Sequence, residues 1–190
     1  YVNLTKTNIE AGDPLGIYKS DSQMNMFFQI TFNNVKVSFM CFIFGIFTAF
    51  GTGYILMKNG IMVGVFISFF QGYGLLSQSA LVIFIHGALE LSAITIAAAA
   101  GFVLGNSFVM PGTYKRKDAF IRGAKDGLKM VLSLVPVFII AGFLESFVTR
   151  YTDMPLALSL SIIILSFAFI IGYYFILPIR INLKRRTMNG

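Results

Sequence analysis

At 190 residues the chain is 56% hydrophobic and only 12% charged, with a mean hydropathy of +0.78. That is about half the ~25% charge of a soluble domain, so a water-soluble globule is excluded in favour of a polytopic membrane protein. Its net charge of +7 lies beside apolar runs, which makes it a topology and anionic-lipid signal rather than a nucleic-acid surface, and the lone Cys41 excludes a disulfide or thiolate-metal framework.

The chain opens at Tyr1 without an initiator Met and is expected to be part of a longer protein. In "SDSQMNMFFQITFNNVKV", Met24, Phe27, Phe28, Thr31, Phe32 and Val35 recur at helical spacing, with Asp21 or Ser22 as the cap. This predicts an interfacial helix that closes a segment over residues 1–36. A transmembrane region then runs over 37–178, since a span needs about 20 apolar residues. Val37–Met57, between Lys36 and Lys58, is the first span. "QGYGLLSQS" supplies a turn that divides the next apolar run into a short second span, Ile61–Leu76, and a long third, Ala80–Met110. The third must tilt, break near Gly101 or Gly105, or reach past the bilayer, and Pro111–Gly112 marks its exit.

"YKRKDAFIRGAKDGLK" (114–129) comes next, with Phe120, Ala124 and Leu128 on one stripe. It predicts a second amphipathic helix lying on the membrane, its basic face made by Lys115, Arg116, Lys117, Arg122, Lys125 and Lys129. Met130–Val148, containing Pro136 and Glu145, is the fourth span; Leu156–Leu177 is the fifth, ended by Pro178 and a basic tail over 179–190. The expected architecture is therefore all-α: a polytopic transmembrane helical bundle with short interfacial amphipathic helices. Most Lys and Arg fall on the face that holds 114–129, Lys58 and the tail, against Lys6, Lys19, Lys36 and Arg150 opposite. The positive-inside rule puts the first face in the cytoplasm and residues 1–36 outside, with an earlier span implied upstream.

Within the third span, His86 and Glu90 stand four residues apart and so share a helix face. An ionisable group at that depth costs a few kcal/mol, roughly, unless it finds a partner or water. Two roles fit: a proton or ion path, or a buried clamp in which the two satisfy each other. Ser92, Gln71, Gln78 and Glu145 are further polar candidates, and Glu145 would complete a cluster in the outer half of the bundle. No metal or other cofactor is expected, because a zinc site needs three or four ligands and one His and one Cys leave only carboxylates to fill them. No nucleophile–base pair is apparent, so no enzymatic activity is expected. Gly60–Gly64 and Gly101–Gly105 are G-x-x-x-G motifs suited to close helix packing, within the chain or in a homodimer, whereas "GAKDG" (123–127) marks a tight contact or nothing.

"HGALELSAITIAAAAGFVLGNSFVMPGTYKR" with "RGAKDGLKMVLSLVPVFIIAGFLESFVTR" resembles the bacterial stage II sporulation protein M family, and the likeness covers most of residues 24–155. Its signature positions fall on His86, Gly87, Glu90, Gly101, Gly105, Pro111, Gly112 and Glu145. The resemblance implies a multi-pass inner-membrane protein without catalytic residues that anchors or recruits partners which remodel peptidoglycan. It also groups this chain with longer members from bacteria that do not sporulate. A transporter or channel with His86 and Glu90 in its path is the alternative.

Overall fold

A computed structural model describes residues 6–9, 11, 22–149 and 154–188. Every regular element among the described residues is helical. Helix α1 covers Gln23–Phe44 and starts where the Ser22 hydroxyl accepts from the Asn25 amide at 3.2 Å. A single 3-10 turn, Gly45–Phe47, leads into α2, Thr48–Gly72. After a turn through Gly74, whose φ of 72° suits glycine, α3 runs over Leu76–Val109. Pro111 and Gly112 (φ 62°) form the connection to α4, Arg116–Phe143, which continues through a π-helical turn, Leu144–Val148. Helix α5, Leu156–Ile170, passes through a second π-helical segment, Ile171–Ile176, into α6, Leu177–Met188.

Five helical stretches are long and apolar enough to cross a bilayer: Gln23–Phe47, Phe50–Gly72, Ser79–Val109, Arg116–Val148 and Leu156–Met188. Their number agrees with the sequence expectation, but the first two are displaced. Val37–Met57 is not one span. The chain reverses at Gly45–Phe47, where Gly51 meets the Phe44 carbonyl and the Thr52 hydroxyl donates to the Cys41 carbonyl at 3.1 Å. Lys36 and Lys58, taken as span ends, are instead exposed and mid-helix in the two arms of this hairpin. The turn forms at Gly45 because its backbone lies directly on that of Gly101 in α3, which admits no side chain on either residue.

The two expected surface helices also differ. Residues 24–35 belong to α1, and 116–129 are the first half of α4 rather than a separate element. α4 turns Ala119, Gly123 and Gly127 inward, with Leu128 left exposed, because small residues permit the closest approach to α3. A Cβ on Gly123 would meet Ser107, and one on Gly127 would meet Phe42 and the Ala100 carbonyl. The basic tail is not a separate segment either; Pro178, in the first turn of α6, interrupts nothing.

α3 is the hub, packed by α1, α2, α4 and α5. Its Ala93, Ala97 and Ala100 are fully covered, and Val131, Leu134 and Phe138 of α4 close over them. The Tyr174 hydroxyl ties the second π-helical segment to α4 by donating to the Ser133 carbonyl at 2.8 Å, just before Pro136.

Two glycines test this packing. Gly101→Ala places a Cβ 2.5 Å from the Cys41 carbonyl oxygen and 2.7 Å from Thr52 Oγ1, so thermal unfolding in mild detergent should show a loss of about 1–3 kcal/mol. Gly60→Ala, with nothing within 4 Å, should leave the purified chain unchanged or up to ~1 kcal/mol more stable.

Candidate functional site

α3 carries two ionisable groups one turn apart, His86 and Glu90. His86 is buried, with 7% of its surface exposed, and Glu90 is half-buried. Because α4 runs antiparallel to α3, the end of α4 arrives at the level of His86. There the helix widens into its π-helical turn, closed by the Thr149 amide on the Leu144 carbonyl at 2.9 Å. That turn presents Glu145 and Thr149 to one imidazole. Glu145 Oε2 lies 3.8 Å from His86 Nε2, and Thr149 Oγ1 lies 3.4 Å from Nδ1. One donor atom from each of His86, Glu90 and Glu145 falls within 4.8 Å of the others.

Helix α1 supplies the third wall. Asn34, 3% exposed, turns its side chain to the Glu90 carboxylate, although its Nδ2 completes no hydrogen bond. Thr31, one turn earlier, packs on Gly142 of α4, and the buried oxygens of Thr31 and of Ser146, next to Glu145, are also without partners. Polar groups from three helices thus gather in the half of the bundle remote from the basic end of α4.

His86 and Glu90 do not satisfy one another, contrary to the sequence expectation. The imidazole meets α4, at Thr149 and beside Glu145, while Glu90 faces α1 at Asn34. The i,i+4 spacing put both on one face but could not say which neighbour each would meet. Thr149 also bears on the ring's tautomer. Its single hydroxyl hydrogen goes to the Leu144 carbonyl at 3.0 Å, the shorter of its two contacts. With that hydrogen committed, the oxygen can accept from His86 Nδ1–H in the tautomer that leaves the lone pair on Nε2.

Asn34, Thr149, Thr31 and Ser146 were missed because nothing local marks them. Asn34 alone had a signal: an asparagine on the inner face of an apolar helix is a polar group that needs a partner. Ser92, another candidate, is only half-buried, and Arg150 and Asp153 lie outside the described residues.

The remaining predicted residues separate into packed and open. Gly101 and Gly105 are buried on α3. Gly60 and Gly64 on α2 meet nothing within 4 Å, so among the described residues no helix packs on them. Pro111 and Gly112 form the exit from α3. Lys115, Arg116, Lys117, Arg122, Lys125 and Lys129 are all exposed. Arg122 stacks 4.2 Å over the Tyr114 ring, and Lys129 pairs with Asp126 at 3.3 Å.

The sequence model of the family described as stage II sporulation protein M matches residues 2–150. No curated protein and no solved structure matches the chain.

The hydroxyl of Thr149 serves both the Leu144 carbonyl and the imidazole. Thr149→Val should therefore lower unfolding stability by about 1–3 kcal/mol, the cost of a buried polar group left unpaired, and Thr149→Ser should restore most of it. Thermal unfolding of the three proteins in the same detergent gives the comparison.

Proposed function

The chain belongs to the stage II sporulation protein M family, and on that premise we propose that it is a non-enzymatic anchor in the bacterial inner membrane that holds envelope proteins against the exposed face of α2. The observation that carries this reading is the state of α2 itself. It is apolar enough to span, yet hardly any of it is buried, and Gly60 and Gly64 open onto empty space. Such spacing lets another helix approach at backbone distance.

Charge on the same hairpin adds to the case. The Thr52–Cys41 bond sets a register in which Lys58 and Lys36 lie about 8 Å from it along the helices, at one depth. An ammonium facing hydrocarbon is costly unless it reaches the headgroups or meets a polar partner. A partner helix carrying an acid beside a small-residue face would answer both features.

In this reading the basic end of α4, Lys115 to Lys129, faces the cytoplasm and contacts anionic headgroups, and the start of α1 faces outward. The polar cluster of His86, Glu90 and Glu145 holds the bundle that displays α2. Transport through that cluster is the competing reading.

A photoreactive residue at Met57 or Met62, both exposed on α2, should cross-link in cells to an envelope protein. The same residue at Leu165 of α5 should give lipid adducts only, and Gly60→Leu should abolish the protein adduct. An adduct of twice the protein's own mass would identify a second copy as the occupant instead. Proton or cation flux in liposomes of the purified protein, lost in Glu90→Gln, would replace anchoring with transport.

A further inference from the structure

We infer that His86, Glu90 and Glu145 are the protein ligands of a divalent d-block cation of the Zn2+ or Mn2+ kind, bound between α3 and α4. The inference goes beyond anchoring and does not depend on it.

Three electron-rich groups converge without a donor among them. In the tautomer that donates Nδ1–H to Thr149, Nε2 offers a lone pair toward Glu145 at 3.8 Å, with Glu90 inside the same 4.8 Å cluster. Among the described residues, no Lys or Arg pairs with either carboxylate. Two carboxylates enclosed in an apolar bundle must be neutralised, by protons or by a cation, and one dication neutralises both while bridging them.

Distances suit an ion of this size. Ligand bonds of about 2.0–2.2 Å place donors on a tetrahedral ion roughly 3.4 Å apart. The His86–Glu145 separation is already near that, and rotation of the Glu90 side chain covers the rest. A ring that donates from one nitrogen to an oxygen while the other binds the ion is the usual arrangement of a metal-ligating histidine, and Thr149 provides that oxygen. Asn34 supplies an independent indication. Its buried amide turns toward Glu90 with Nδ2 unpartnered, an unsatisfied polar group beside one of the proposed ligands. One imidazole with two carboxylates matches zinc, manganese or iron(II) better than soft copper(I), which prefers sulfur, or calcium, which prefers oxygen alone. The ion would cross-link α3 to α4 at the π-helical turn.

The test uses untagged protein in detergent, stripped with chelator and reloaded with Co2+ or Zn2+ alone. His86 is the single histidine of these 190 residues, so imidazole coordination seen by X-ray absorption on the cobalt-loaded wild type should disappear in His86→Gln. We expect one metal per chain, one imidazole in its shell and a raised melting temperature. Glu145→Gln and Glu90→Gln should each weaken binding at least tenfold, whereas Asp126→Asn, at an exposed acid paired with Lys129, should bind as the wild type does. No retained metal, an all-oxygen shell, or unchanged binding in both Gln variants would overturn the inference. Should either variant fail to fold, the wild-type absorption spectrum decides alone.

Discussion

A charge placed among apolar helices must be met by another part of the same fold, and α3 carries two ionisable groups where lipid or helix would otherwise surround them. That requirement determines which neighbours α3 can have. α4 meets His86 with Glu145 and Thr149, and α1 meets Glu90 with Asn34. Hydrophobic matching cannot select these partners, because inside a bilayer one apolar face is much like another. Polar contacts and the fit of small residues take over that role.

The fit of small residues acts at the other end of the bundle. Gly45 against Gly101, and Gly123 and Gly127 against α3, bring backbones together at the level of the hairpin turn and the basic half of α4. α1, α3 and α4 are thus joined twice, by close contact near one face and by polar groups nearer the other. α2 is tied in at its start through Thr52 and the α5–α6 helix through Tyr174, but both remain largely uncovered.

Much of this was legible in the sequence. Spans bounded by Gly or Pro punctuation, α3 and α5 among them, fell close to their expected places, and Glu145 joined His86 and Glu90 as the outer-half cluster suggested. The first two spans differ from the sequence expectation because lysines do not bound them: the chain turns where Gly45 can touch Gly101, a contact set by residues far apart in sequence. The same limit hid Asn34 and Thr149. Identical G-x-x-x-G motifs met opposite fates, since spacing records that a close approach is allowed and not whether a neighbour makes it: Gly101 is covered while Gly60 is bare. The separate surface helix at 114–129 failed for a simpler reason. Its helical period continues unbroken into the apolar stretch, and a change in polarity along a helix does not end the helix.

That continuity has a mechanical side. From Arg116 to Val148 the chain is one unbroken rod, about 50 Å long, with cationic side chains at one tip and the Glu145 carboxylate near the other. A stiff element moves as a whole. An axial push or tilt delivered to the cationic tip, by a lipid surface or a docked protein, is therefore carried along the helix toward the imidazole contact about 40 Å away. The joints that can absorb it are Pro136, braced by Tyr174, and the wide turn that holds Glu145. The cationic tip and the enclosed carboxylates are in this sense two ends of one lever.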